Sequence, residues 1–273
     1  MRRLINIRPN RTARVLLGAL PFVLLAIIYI SASNARLAVN PADKLLPSIS
    51  TMQKSMSQMA FKPSKRTGEY LFWADTGSSL RRLATGVGIA AVIGLVWGVL
   101  TGVLPLASAG FSPLLTAVSL VPTLALLPIL FIVFGLGEVS KVALIVLGIT
   151  PFIARDIQKR AREIPEEQIF KAQTLGANTA QIIYSVYLPQ LLPKLVNSVR
   201  LSLGAGWLFL IASEAIASTD GLGYRIFLVR RYLSMDIILP YVVWITVLAF
   251  VIDSLLRLVN RRLFPWEARG DDT

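Results

Sequence analysis

Six apolar stretches recur along the chain, at roughly residues 15–30, 80–104, 111–134, 137–157, 195–217 and 237–259, with polar connections between them. The hydrocarbon core of a bilayer is about 30 Å thick, and about 20 apolar residues cross it as a helix that satisfies its own backbone polar groups. Repeated blocks of this kind leave few alternatives to a bundle of membrane spans. Composition agrees: 55% of the 273 residues are hydrophobic and 16% charged, against roughly a quarter charged in soluble domains. The expected fold is all-α, a polytopic membrane protein with six transmembrane helices.

Cysteine and histidine are both absent. That removes disulfides, thiolate chemistry, Cys/His metal sites and histidine acid–base catalysis, so no metal site is expected. No G-x-x-x-x-G-K phosphate loop occurs either, and any ATP must be bound by another chain. No carboxylate pair shares an apolar span with a nucleophile, so catalysis by this chain is not expected. A net charge of +13 would suit nucleic acid. The basic residues are instead dispersed over the polar segments that flank the apolar blocks. That is the pattern of a chain seated in a lipid membrane, and no nucleic-acid partner is expected.

A basic start (Arg2, Arg3, Arg8, Arg11, Arg14) precedes the first apolar run, Val15 to Ile30. The small residues Ser31-Ala32-Ser33-Asn34-Ala35 that follow would suit cleavage of a signal peptide. An uncleaved first span agrees better with a remainder that is itself membrane-embedded. Within the polar connection 31–79, Ile49, Met52, Met56 and Met59 recur at helical spacing behind Ser48, a residue suited to cap a helix. Such a helix either lies along the membrane surface or packs on the protein's own outer face.

In the second span Gly86, Ala90, Gly94, Gly98 and Gly102 follow one another at intervals of four residues. They share one helical face and let another backbone approach closely. Ser198, Ser202 and Gly206 repeat the device in the fifth span. Pro113, Pro122 and Pro128 interrupt the third, and each removes a backbone donor, giving either kinks for packing or a pore-lining bend. The fourth span is uncharged only from Val142 to Ala154, and the fifth contains Arg200 and Glu214. Short or charged spans sit inside a bundle, where protein or water shields the charge. The pathway candidates are therefore Pro122, Thr123, Pro128, Trp207, Ser213 and Glu214. Against that stand core packing for Trp207 and an ion pair or helix-end role for Glu214. Arg200 cannot be the partner within one helix, since the 14 residues between them rise about 21 Å. Glu138 is expected in a loop with Gly135 and Gly137, as a cap or dimer contact.

The most polar island lies between Asp156 and Lys194 and reads as two short helices and a turn. Pro165 suits a first helical position, and Glu166 and Glu167 favour the positive end of the helix dipole. Gly176 suits the left-handed residue that ends such a helix. Asn178 with Gln181 resembles a capping pair for the next helix, which Pro189 is expected to stop. The result is a stiff lever standing out of the bilayer, or an ordinary loop that happens to be helical. Basic residues place the N-terminus, the 155–200 segment and the C-terminal end (Arg257, Arg261, Arg262, Arg269) on one side, which the positive-inside rule makes cytoplasmic. Eight Lys and Arg in residues 31–82 and a further cluster at Arg225, Arg230 and Arg231 oppose that assignment.

The island also reads Phe170-Lys171-Ala172-Gln173-Thr174-Leu175-Gly176, then nine residues on Val186-Tyr187-Leu188-Pro189. This resembles the coupling loop of ABC-importer permeases, E-A-A, three residues, Gly, nine residues, I-x-L-P. Three further blocks are similar to permeases of the taurine, nitrate and aliphatic-sulfonate type. They are Ser79-Leu80-Arg81-Arg82-Leu83, Val121-Pro122-Thr123-Leu124-Ala125-Leu126-Leu127-Pro128 with Phe134-Gly135-Leu136-Gly137-Glu138, and Ala212-Ser213-Glu214 with Gly221-Leu222-Gly223. Together they cover roughly residues 79 to 225 in family order. The departure is at Phe170 and Lys171, which replace the usual glutamate and first alanine.

The resemblance implies a type I importer permease. Two copies form the channel, two cytosolic ABC ATPases carry ATP and magnesium, and an extracytoplasmic binding protein delivers a small anion such as a sulfonate, nitrate or bicarbonate. The chain would be a multi-pass protein of the bacterial inner membrane with both termini cytoplasmic. It would bind no cofactor itself. The coupling residues it implies are Glu166, Glu167, Phe170, Lys171, Ala172, Gly176, Ala177, Leu188 and Pro189. The expected organisation is residues 1–78 as a first span and outer loop, 79–264 as a core with its coupling loop at 158–190, and 265–273 as a cytoplasmic tail. Rival readings are a phosphonate or amino-acid ABC permease, an ion-coupled secondary transporter, and a non-transporting membrane anchor.

Overall fold

The computed structural model describes residues 10–41, 43–64 and 68–268, so Arg2, Arg3, Arg8, Lys65, Arg66 and Arg269 of the charge pattern lie outside the described residues. Helix α1 (Arg11–Val39) leads to the short α2 (Ile49–Phe61) and to α3 (Leu71–Val103). Next come α4 (Pro105–Ser119), a 3-10 turn at Thr123–Leu126, α5 (Leu127–Phe134) and α6 (Glu138–Arg162). After α7 (Glu166–Thr174) and α8 (Thr179–Ile182), a π-helical turn (Ile183–Tyr187) joins α9 (Leu188–Ala217). Helices α10 (Leu222–Arg230), α11 (Met235–Leu263) and α12 (Pro265–Ala268) complete the described chain.

Four helices among the described residues are long and apolar enough to cross a membrane: α1, α3, the rod Thr179–Ala217 and α11. The pair α4–α5, bent by 84°, makes a fifth. Helix α6 has 25 residues, about 37 Å, but charges fill its C-terminal half. The six expected apolar blocks thus correspond to six helical stretches, most of them longer than expected. Helix α3 starts at Leu71, so the expected boundary at 78/79 falls inside it. The small segment Ser31–Ala35 continues α1, and Ser33 Oγ donates to the Leu46 carbonyl at 2.9 Å.

The core is organised by α3 and α6. A Cβ added at Gly86, Gly94 or Gly98 would come within 2.8 Å of side-chain carbons of Ile145, Ile153 or Ile157, and one at Gly102 within 2.6 Å of Ala161. The offset is 59 residues at each of the four contacts, so the two helices run parallel in fixed register. Ala90 completes the stripe and Ile149 the facing row, both wholly buried. Isoleucine knobs thus sit in a groove floored by glycine backbone, which gains dispersion contacts where lipid offers no hydrophobic drive. Gly148 on α6 does the same for α9, where a Cβ would collide with the Phe209 ring.

Parallel neighbours require the chain to return between them, and α4–α5 makes that return. The sequence led us to expect a kinked span, but the helix is broken instead. Pro113 is absorbed inside α4, and Pro128 sits in the first turn of α5, where its missing N–H is no loss. The break falls at Pro122, which is extended (φ −66°, ψ 99°) and disfavours helix in the residue before it. Ser48 caps α2 as expected, accepting from Thr51 N at 3.2 Å. That helix packs on α3 and α11 through Met56 and Met59, with Ser55 Oγ donating to Asp236. It therefore rests on the protein's own face.

Gly98→Val should lower the unfolding midpoint of the solubilised protein, because the added Cβ would also meet the Ala154 carbonyl at 2.8 Å. Overpacking of this kind costs about 1–3 kcal/mol, roughly 5 °C for a chain of this size. Gly88→Ala, with nothing within 4 Å, should leave the midpoint unchanged in the same melting experiment.

Candidate functional site

The polar island folds into a hairpin beyond the C-terminal end of α6. Helix α7 opens with Glu166 and Glu167 in its first turn, and Pro165 precedes the first helical residue where we expected it to occupy that position. Gly176 ends α7 in the left-handed region, at φ +83°. Its N–H reaches the Gln173 carbonyl at 2.9 Å and the Ala177 N–H reaches the Ala172 carbonyl at 3.0 Å, the paired bonds of a glycine-terminated helix. The next residue starts α8 with a reciprocal cap. Gln181 N donates to Asn178 Oδ1 at 2.9 Å, and Asn178 N donates to Gln181 Oε1 at 2.8 Å. Four residues therefore stop one helix and start another with their backbone groups satisfied, which leaves the turn little freedom.

The hairpin is anchored through Ile164, Ile182, Tyr187 and Leu191, all buried, and through Gln190 Nε2, which donates to Gln168 Oε1 at 2.9 Å. Ala172, Ala177 and Leu188 pack partly buried against this base. Phe170, Leu175 and Tyr184 do not; they are 58%, 82% and 75% exposed, beside the exposed Lys171. Pro189 does not stop the second helix. It lies in the first turn of α9, directly after the π-helical turn, and the rod continues to Ala217. The proline rule is local, whereas Tyr187 and Leu191 bury the same helical face on both sides of Pro189 and hold it straight.

At the far end of the bundle, three of the sequence blocks converge on Arg82. Its Nε and Nη2 form a fork on Glu138 (2.6 and 2.7 Å), and its Nη1 donates to Glu214 at 2.8 Å. Nη2 also reaches Asp220 at 2.5 Å. Glu214 is fully buried and accepts further from Ser79 Oγ at 2.8 Å and Gly223 N at 2.9 Å. Glu138, expected in a loop, is the first residue of α6 and also receives Lys141 Nζ at 3.0 Å. The glycines of Gly221-Leu222-Gly223 follow from this packing. A Cβ at Gly221, whose φ is +114°, would stand 2.6 Å from the Glu214 carboxylate, and one at Gly223 2.8 Å from the Ile211 carbonyl. Next to it Asp75 takes Arg225 Nε at 2.7 Å, Gly221 N at 3.0 Å and Tyr241 OH at 3.2 Å. Burial pushes the Asp220 carboxyl upward, but hydrogen bonds from Ser78 and Arg82 outweigh it and hold it below the usual range.

Of the pathway candidates, Trp207, Ser213 and Glu214 lie in the packed interior, with Ser213 Oγ bonded to the Leu210 carbonyl at 2.8 Å. Pro122 and Pro128 are exposed and Thr123 half-buried, around the break between α4 and α5. Arg200 pairs with Asp253 of α11 at 2.8 Å. The residue that sequence reasoning missed is Arg82, 132 positions from Glu214. The available signal was that each of three resembling blocks carries charge: Arg81 and Arg82 in one, Glu138 in the next and Glu214 in the third.

Arg82→Leu should cost about 3–5 kcal/mol, because it strands a buried carboxylate, whereas Arg82→Lys should recover part of the loss with a point charge in place of the fork. The check is the unfolding midpoint of the solubilised protein; a Leu variant that melts with the wild type would mean that Glu214 does not depend on Arg82.

Residues 90–265 match the family described as binding-protein-dependent transport system inner membrane component. The chain is 35% identical over 194 residues to the taurine transport system permease protein TauC of Escherichia coli (strain K12), covering 71% of this chain and 70% of that one. Identity is 32% over 188 residues with the putative aliphatic sulfonates transport permease protein SsuC of Bacillus subtilis (strain 168), at 69% and 68% coverage. It is 30% over 194 residues with the bicarbonate transport system permease protein CmpB of Synechococcus elongatus, at 70% and 69%. Among solved structures the fold resembles a chain of the MetNI methionine ABC transporter in an inward-facing conformation. There the TM-score is 0.61 at 23% identity, over 74% of this chain and 98% of that one. The chain therefore belongs to the binding-protein-dependent transport system inner membrane components, and is a membrane permease of an ABC importer, not an enzyme.

Proposed function

We propose that two copies of this chain form the channel of an inner-membrane importer for a small oxyanion, driven through the α7–α8 hairpin by two cytosolic ATPases. A binding protein on the opposite side delivers the solute. ATP and magnesium stay on the ATPase subunits. The observation that carries this reading is the hairpin itself: a rigid, doubly capped element with an uncovered apolar surface of Phe170, Leu175 and Tyr184. Rigidity matters because a floppy loop would lose a partner's motion to its own entropy. Phe170 and Lys171 replace the glutamate and alanine of the family pattern, so the contact here is apolar where a polar one is usual.

The hairpin is continuous with the two helices that flank it. Helix α6 ends three residues before α7, and α8 runs on into α9. A closing motion of the ATPases would swing α6 together with α3, to which it is locked by the glycine register. The cytoplasmic side is the hairpin end, where Lys159, Arg160 and Arg162 finish α6 and Arg261 and Arg262 finish α11. Six crossings then leave both termini on that side. The solute class is supported by the relatives, named for taurine, aliphatic sulfonates and bicarbonate. Sulfonate and bicarbonate groups share planar or tripod oxygens that suit arginine and hydroxyl donors.

Phe170→Asp should abolish copurification with the ATPase and with it uptake into proteoliposomes. Gly176→Val, which forces a β-branched residue to positive φ at a cost of about 1–2 kcal/mol, should spare assembly and lower uptake per ATP hydrolysed. A Phe170→Asp complex that assembles and imports at the wild-type rate sinks the coupling role. A cysteine placed at Thr174 should react with an impermeant thiol reagent from the cytoplasmic side alone.

A further inference from the structure

The C-terminal half of α6 carries Arg155, Lys159 and Arg162, spaced four and three residues apart and all exposed on one helical face. Helix α4 opposes them with a row of serines. Arg155 Nη1 donates to Ser119 Oγ at 2.8 Å, Gln158 Nε2 to Ser112 Oγ at 2.6 Å, and Arg162 Nη2 to Ser108 Oγ at 2.6 Å. An open groove of about 570 Å³ lies on the α6 side of this seam, lined by Arg155, Asp156, Gln158, Lys159, Arg162 and Glu163. Its two carboxylates are engaged: Asp156 by Ser198 and Arg160, Glu163 by Arg160 at 3.6 Å and more loosely by Lys159 at 3.9 Å. Arg155 and Arg162 hold hydroxyls and, among the described residues, no carboxylate.

Lipid is an unsuitable neighbour for this face. The uncharged run Val142 to Ala154 gives α6 about 20 Å, short of the roughly 30 Å a lipid-facing span needs. The Arg155 guanidinium turns sideways to Ser119, the last residue of α4, at the break that precedes Pro122 and Thr123. Ser119 is itself about 21 Å along α4 from Pro105. Irregular backbone at membrane depth persists only beside protein or water, and in transporters broken helices mark where solute is held. A cation exposed beside such a break therefore borders water.

We infer that this seam is the solute-releasing stretch of the pathway, where the oxyanion passes from Arg155 at the break to Arg162 near the hairpin end. The inference rests on the oxyanion reading above and adds the residues that hold the solute. Arg155 and Arg162 lie seven residues apart, about 10 Å, and two weak stations in series let an anion leave where one tight site would trap it. The guanidinium plane suits two oxygens of a sulfonate, and a serine beside each arginine fixes its direction.

The chain has no cysteine, so single introduced ones report cleanly. Phe152 is exposed one turn from Arg155 toward the membrane centre. In the complete reconstituted transporter, Phe152→Cys should react with a charged thiol reagent from the cytoplasmic side, and saturating ethanesulfonate should slow that reaction several-fold. Arg155→Gln should cut ethanesulfonate uptake about tenfold, the worth of one charge-assisted hydrogen bond. Arg155→Lys should recover part of that uptake. The inference falls if Phe152→Cys stays unreactive, or if Arg155→Gln imports at the wild-type rate. It also falls if the Arg155→Gln defect disappears in vesicles of purely zwitterionic lipid, which would assign Arg155 to a lipid headgroup. Failure of the wild type itself to import any sulfonate or bicarbonate would instead overturn the oxyanion reading.

Discussion

The approach of α3 to α6 is the constraint from which the remaining architecture follows. Inside a bilayer, a buried isoleucine gains nothing by leaving water, so helices associate through shape. The groove of Gly86, Gly94, Gly98 and Gly102 supplies that shape, and the row from Ile145 to Ile157 fills it at constant register. Because the pair is parallel, the segment between them has to bring the chain back across the same thickness. Helices α4 and α5 do so without a glycine seam of their own, and their crossing is the one that breaks.

The same pairing governs how motion can travel. Helix α6 is held along its length by α3 and at its first turn by the fork between Arg82 and Glu138. Its other end meets α4 through Arg155, Gln158 and Arg162 and runs into the α7–α8 hairpin. The charge cluster at the far end joins α3, α6, α9 and the α9–α10 turn through one guanidinium. A buried ion pair is weak evidence for stability by itself, since desolvation offsets most of the attraction. What it fixes is position: only one arrangement of these elements gives Glu214, Glu138 and Asp220 a common partner.

How much of this was legible in the sequence depended on the range of the interaction. The glycine stripe could be read because its period is local; the four-residue repeat of isoleucines that fills it from α6 is equally local but was not picked out. The capping pair Asn178–Gln181 and the glycine stop at Gly176 involve neighbours within a turn, and both could be placed. Pro189 was misjudged because a helix-stop rule ignores burial, and Tyr187 and Leu191 pack on either side of it. The break at Pro122 was legible as a disturbance, but its 84° depends on where α3 and α6 leave space. Glu214 was recognised as a charge needing a partner. Its partner could not be named, because no local pattern connects residues 82 and 214.

The basic character of the chain separates into two kinds of arginine. Arg82 is surrounded by carboxylates and sealed from solvent, so its charge is consumed in holding helices together. Arg155 and Arg162 are exposed and, among the described residues, meet hydroxyl oxygens and no carboxylate, so most of their field remains available to something not covalently part of the chain. On the proposed topology the positive-inside rule accounts for the cations near the hairpin end of α6 and α11, but it concerns residues at the membrane surface. It does not explain an arginine fixed sideways against the last residue of a half-length helix. A permanent charge placed there has to be hydrated or countered, and the proposed release path supplies both, water when it is open and an anion when one passes.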